Sequence, residues 1–305
     1  MRLATILPRA SLEPVPVASC PDGTWVELAA LIGRPVERLE QGLTYVMGHQ
    51  IHLEERAAAW RGPRYRQSEF FFLPPIPRPA AFRDFEAFEQ HVGAFRASLG
   101  GGIPTAWYDA PAFHFANRLA LIGHGASFWA PQGSEELDFG LALGVVIGRH
   151  GRDIPESKAW DYIAGFTIVN DLCARDLERR AMPAGMGPSK GKDFATAVGP
   201  WLVTRDEFQD RIEEGRLSLS MAVRLNGVEV AQGNCGSMYH DIPCLISEAS
   251  RDAELFAGDL ISTGTVGGCS LLEGGCGAWL KPGDTVALEV ERIGILETHV
   301  SARGV

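Results

Sequence analysis

From about residue 136 to residue 300 the chain is written as short apolar or alternating segments, with almost no room between them for crossover helices. LDFGLALGVVIG (137–148), YIAGFTIVND (162–171), WLVT (201–204), LSLSMAVRLNGVEVAQ (217–232), DLISTGT (259–265), TVALEVE (285–291) and ILETHV (295–300) all have strand composition. Asn226-Gly227 marks a two-residue hairpin turn inside the fourth of them. Parallel strands need a crossover of about a dozen residues or more. Only two short helix-forming stretches, ARDLERRAM and IPCLISEASRD, intervene. The pattern predicts a β-rich α+β fold.

One of these strands is unusual. Phe139, Leu141 and Leu143 occupy one face of LDFGLALGVVIG, and Gly140, Ala142 and Gly144 occupy the other. Glycine inside a strand marks a bulge or a close approach by something else.

Ahead of this region, RLATI (2–6) and TWVELAAL (24–31) read as short strands, and 36–59 as a helix without internal proline. FLPPIPRP (72–79) suits neither a central strand nor a helix interior. The expected organisation is therefore a small N-terminal domain plus linker over 1–75 and a larger domain over 76–305. FRDFEAFEQHVGAFRASLG (82–100) predicts an amphipathic helix, with Phe85, Phe88, Val92 and Phe95 at helical spacing.

Composition narrows the function classes. With 46% hydrophobic and 22% charged residues the chain is of the soluble globular type. A formal charge of −10, with the only basic cluster of note, ARDLERR (174–180), interleaved with acids, argues against a nucleic-acid partner. The longest strong apolar run, LALGVVIG, is far too short for a membrane span. VASC, ending at Cys20, lacks the apolar segment that a processing signal needs. The six cysteines contain no CxxC and read as reduced thiols of a cytoplasmic protein. Cys269 and Cys276, in GGCSLLEGGCG, read as a loop and not as a zinc site.

Seven segments taken in order resemble the fumarylacetoacetate hydrolase family: RDFEAFEQHV, EELDFGLALGVVIGRHGRDI, DYIAGFTIVNDLCARDLERR, GKDFATAVGPWLVT, LNGVEVAQGN, GDLISTGTVGG and LKPGDTVALEVERIGIL. Together they span roughly 82–300. The resemblance implies a mixed β-roll around an active-site cleft, a small N-terminal domain, a homodimer and a small-molecule substrate. Members typically hold Mg²⁺ or Mn²⁺ through a Glu-x-Glu on one strand and an Asp on the next, and a Lys stabilises an enolate.

Residue by residue, that pattern is incomplete in this chain. The Asp falls on Asp171, but the Glu-x-Glu falls on Gly140 and Ala142. One carboxylate holds a hard divalent ion poorly against its own hydration. The expectation is that Asp171 is the retained ligand candidate, that no cofactor is bound in the family manner, and that the bare face at Gly140 and Ala142 leaves room for substrate. Mg²⁺ or Mn²⁺ would be the cofactor only with substituted ligands.

Lys192 matches the family's lysine, and Gly264 with Thr265 its carboxylate-binding loop. His91 matches a lid-helix base, although Ala94 and Glu89 offer it no carboxylate on the right face. Glu178 stands where a water-orienting Gln is found, and pairs more naturally with Arg175 or Arg179. A further histidine and a further Asp of one branch fall on Leu119 and near Ala112. His114, His124, Phe113 and Phe115 outline an aromatic pocket wall outside the family pattern.

The sequence thus points to an enzyme acting on an enolisable carbonyl, such as a β-diketone, a 2-oxo acid or a polyketide-like compound. Proton transfer, tautomerisation, cyclisation or C–C cleavage would be assisted by Lys and His without the usual metal. The alternatives are a metal-dependent hydrolase or decarboxylase with substituted ligands, and a ligand-binding paralogue without turnover.

Overall fold

The strand segments assemble into two main sheets because each offers one apolar face to the other. The computed structural model describes residues 1–274 and 278–303, so Cys276 lies outside the described residues. The larger sheet runs in the order Trp25–Glu27, Val15–Ser19, Arg2–Pro8, Thr196–Thr204, Ile163–Asn170, Leu141–Ile147, Leu260–Thr265, Phe82–Phe85, Phe113–Phe115. A five-stranded sheet runs Val228–Asn234, Ser220–Leu225, Thr285–Val290, Gly294–Val300, Ser127–Phe128. The predicted hairpin is present: Leu225 pairs with Val228, and Asn226 and Gly227 take the positive φ angles that such a turn demands. Among the described residues the fold is strand-rich α+β, with no closed barrel.

Leu141, Leu143, Val145 and Ile147 belong to the core cluster that also holds Val223, Leu288, Val290 and Leu296 of the smaller sheet. Ala142 and Val146 belong to a second cluster with Leu43, Val46, Leu28 and Leu31 of the N-terminal segment. The bare face is therefore covered. A Cβ on Gly144 would stand 2.8 Å from Thr167 Cγ2, and one on Gly148 would stand 2.1 Å from Met47 Sδ.

Two segments differ from their sequence patterns. TWVELAAL forms a strand only over Trp25–Glu27, and a short helix, Leu28–Ile32, follows. The amphipathic pattern at 82–100 makes a helix only over Glu89–Ser98. Phe82–Phe85 is a strand, parallel to Leu260–Thr265 and antiparallel to Phe113–Phe115, with all four residues buried. Ladder hydrogen bonds on both sides outweigh a helical propensity worth only tenths of a kcal/mol per residue.

The N-terminal segment continues the large sheet: Arg2–Pro8 pairs antiparallel with Thr196–Thr204, with Leu3 opposite Leu202. No described helix is long and apolar enough to cross a membrane.

Candidate active site

Three strand ends and one turn converge on Lys192. Gly191 precedes it and packs so tightly on the Arg175–Ala181 helix that a Cβ there would lie 2.3 Å from Glu178 Cγ. The Lys192 ammonium pairs with the Asp171 carboxylate and, at 3.3 Å, with Asp84 Oδ2. Asp171 follows the end of Ile163–Asn170, and its N–H donates to the Gly140 carbonyl at 2.9 Å. Asp84 lies opposite His114 in the register between their two strands, and His114 Nε2 is 3.8 Å from Asp84 Oδ2.

Burial works against the charge of Lys192, but Asp171 and then Asp84 outweigh it and hold the amine well above its ordinary pKa. Lys192 is thus a fixed positive charge and not a base. Asp84 is buried, and its Oδ1 has no hydrogen-bond partner among the described residues. The neighbouring Cys173 thiol is pushed well above its ordinary value by burial, which removes it as a nucleophile.

Two cavities meet at this lysine. One, of about 150 Å³, is lined by Asp84, Phe95, Arg96, Phe113 and Met182 among others. The other, of about 370 Å³, is lined by Phe115, Asn117, Met186, Ser189 and Asp193 among others. His114, Pro188 and Lys192 line both. Phe113 and Phe115 thus stand on the two sides of one junction.

The remaining sequence candidates separate into other roles. His91 does have a carboxylate partner: its Nδ1 is 2.8 Å from Glu273 Oε2, and both side chains are buried. Glu273 also accepts from Gly268 N–H at 2.8 Å and Ser270 Oγ at 3.0 Å. Neither His91 nor Glu273 lines the two cavities. Glu178 pairs with Arg175 at 2.9 Å and also lines the smaller cavity, whereas Arg179 pairs with Glu136. His124 accepts a hydrogen bond from Glu297 N–H at 3.1 Å, and burial lowers its pKa. It ties the entrance loop to the Gly294–Val300 strand and does not line either cavity.

Gly264 has φ +84°, and a Cβ on it would meet the Phe85 carbonyl at 2.3 Å, so only glycine fits. Thr265 is buried, and its Oγ1 lies 2.3 Å from where a Cβ of residue 140 would be. Ala142 is fully buried in apolar surroundings. The space expected at Gly140 and Ala142 is therefore filled by Thr265 and by core packing, and neither residue lines the two cavities.

Mg²⁺ and Mn²⁺ require several oxygen donors in near-octahedral array. Positions 140 and 142 offer no side-chain donor, and the two carboxylates present, Asp171 and Asp84, already share the Lys192 ammonium. Among the described residues, the group of three side chains close enough to share an ion is Glu54, Asp206 and Glu207, of which Glu54 and Glu207 pair with the Met1 amine. The residues at Lys192 do not fit the family's metal.

The profile of the fumarylacetoacetate (FAA) hydrolase C-terminal domain matches residues 80–301. An uncharacterized protein of Staphylococcus epidermidis is 35% identical over 235 residues, covering 75% of this chain and 71% of that one. The fold is also that of 5-carboxymethyl-2-hydroxymuconate delta-isomerase from Mycobacterium smegmatis, at TM-score 0.71 and 24% identity over 100% of both chains. Maleylpyruvate hydrolase from Sphingobium, solved with manganese(II) and pyruvate, matches at TM-score 0.74 and 20% identity over 99% of both chains.

Proposed function

This chain belongs to the fumarylacetoacetate hydrolase family, and from that premise we propose that it is an enzyme acting on an enolisable carbonyl compound in which Lys192 takes over the charge-stabilising task of a metal. One observation carries the reading: Lys192 is held charged between Asp171 and Asp84 at the junction of two cavities, while positions 140 and 142 supply no ligand. A carbonyl oxygen at the junction would accept from the Lys192 ammonium. As a proton leaves the α-carbon, negative charge grows on that oxygen, next to a preorganised cation in a partly desolvated site. Asp84 lines the smaller cavity, so its carboxylate keeps the ammonium charged beside the bound compound. The neighbours include an isomerase of a hydroxymuconate and a hydrolase of maleylpyruvate, whose substrates are of this kind.

The test uses protein dialysed against EDTA and two probes, acetopyruvate as a 1,3-dicarbonyl and 2-oxobutanoate as a simple 2-oxo acid. Deuterium entry at C3 above the buffer background is followed by NMR. The expected result is exchange that survives EDTA and falls by a hundredfold or more in Lys192→Met, on the order expected for loss of a main electrostatic group. Exchange that vanishes with EDTA and returns with Mn²⁺ would replace this reading by the metal-dependent one. Binding of a probe without any exchange would favour a ligand-binding paralogue.

A further inference from the structure

We infer that the compound held at Lys192 carries an aromatic group, and that Phe115 is the residue that selects for it. The inference rests on the function proposed above and adds the class of substrate to it. Lys192, Phe115 and Met186 line the same cavity of about 370 Å³. Phe115 is 68% exposed and Met186 is 85% exposed. One exposed apolar side chain by itself carries no meaning. Here two of them share a cavity with a cation fixed by buried carboxylates.

The Phe115 ring is exposed but held. Phe113–Phe115 pairs with Phe82–Phe85 so that Phe115 lies opposite Arg83. The Arg83 guanidinium is 5.3 Å from the Phe115 ring centroid and 5.8 Å from that of Phe113, and the two rings meet edge to face at 5.6 Å. Arg83 is buried, and its Nε and Nη1 make no hydrogen bond among the described residues. The acid it pairs with, Asp259, is 3.7 Å away. The guanidinium therefore serves as a support for the two rings. A ring fixed in this way offers flat apolar area to a ligand at little conformational cost.

Met186 complements it. An unbranched thioether adapts to irregular surfaces and makes favourable contacts with aromatic rings. It stands between Gly185 and Gly187, whose φ angles are +73° and +80°. The polar side chains of the cavity are partly engaged with one another: Asn117 Nδ2 donates to Asp193 Oδ1 at 2.9 Å, and Lys190 pairs with Asp193. A carbonyl compound with an aryl group on its chain meets the cation, the ring and the thioether together. A short acid such as 2-oxobutanoate meets only the cation.

The experiment measures Kd by calorimetry for 2-oxobutanoate and 2-oxo-4-phenylbutanoate, which share a head and differ by one phenyl group. Wild-type protein dialysed against EDTA should bind the phenyl compound about tenfold or more tighter, as ring burial and an aromatic pair together allow. That ratio should persist in Phe115→Tyr and fall to a third or less in Phe115→Leu, which stays apolar but loses the flat face. In parallel, the ¹³C-methyl signal that is missing in Met186→Leu should move upfield when the phenyl compound is added to wild-type protein, and not with 2-oxobutanoate. The inference is overturned if the wild-type protein shows no preference, if the Met186 signal responds alike to both compounds, or if Phe115→Leu keeps the full ratio. A kept ratio with a smaller particle mass by light scattering would assign the ring to a contact between copies of the chain. If Lys192→Met binds both compounds as tightly as wild type, the proposed function falls as well; if it weakens both while the ratio ignores Phe115, that function stands and only the aromatic substrate class is lost.

Discussion

Arg175 and Lys192 each sit between two buried carboxylates, Arg175 between Asp138 and Glu178, Lys192 between Asp171 and Asp84. Their surroundings differ. Asp138 is saturated: besides Arg175 Nε at 2.9 Å it accepts from the N–H groups of Phe139, Leu271 and Leu272. The Arg175 guanidinium lies 5.8 Å from the Phe95 ring and is 3% exposed. It therefore ties the Arg175–Ala181 helix to the turn that carries Glu273. Around Lys192, by contrast, two cavities open onto the amine. The same inventory of one cation and two acids is scaffold in one place and chemistry in the other. Arg175 Nη2 and Asp84 Oδ1 are both buried without a partner among the described residues, so completeness of hydrogen bonding does not separate the two clusters; access does, because Lys192 lines both cavities and Arg175 lines neither.

Removing each cation gives the widest test of that contrast. Arg175→Met leaves Asp138 and Glu178 buried without a counter-charge, and should cost about 3–5 kcal/mol in denaturant unfolding. Lys192→Met should cost clearly less, because water can enter from the two cavities to solvate Asp84 and Asp171, while exchange activity collapses. Equal stability losses for the two variants would break the comparison.

The legible part of this site was the part that local pattern could carry. Lys192 and Asp171 stand in segments whose strand and turn character is plain in the sequence, and the two form an ion pair. Asp84 was hidden because FRDFEAFEQHV has helical periodicity, which would place Asp84 on a helix instead of beside Lys192. Only the pairing of Phe82–Phe85 with strands some 30 and 180 residues later turns it inward. The partner of His91 was hidden for a related reason. Glu273 is 182 residues away, and no helix-face argument reaches that far. The aromatic wall was half legible, since FHF suggests a pocket but not that Phe113 and Phe115 line different cavities.

The bare face of Leu141–Ile147 allows a test of intermediate size. Gly140→Ala should cost about 1–3 kcal/mol, typical of overpacking, because its Cβ meets Thr265 Oγ1 at 2.3 Å and the Asp171 carbonyl at 3.2 Å. Thr265→Ala should relieve most of that cost in a double-mutant cycle. Gly140→Glu with Ala142→Glu should not yield a stoichiometric Mn²⁺ site by calorimetry, since position 142 faces apolar packing. Tight Mn²⁺ binding would mean that this face can open, and that the glycine and alanine are the sole barrier to the family's metal.

The smallest effect concerns acid stability and the second histidine pair. Burial by itself would raise the Glu273 carboxyl, but hydrogen bonds from His91, Gly268 and Ser270 outweigh it and leave the pKa below its ordinary 4.5. A carboxyl depressed on folding contributes stability that is present above its unfolded value and is lost as pH falls through the folded one. Wild-type protein should therefore lose stability on acidification below about pH 4.5 partly through this group. Glu273→Gln should be less stable at neutral pH and should flatten that acid limb. Lys192 has the opposite sign. Its raised pKa makes a contribution that is complete below the ordinary 10.5 and fades only as pH rises through the higher folded value, so the lysine's own ionisation acts on the alkaline limb. An acid limb left unchanged in Glu273→Gln would remove the His91–Glu273 pair from the acid-sensitive elements.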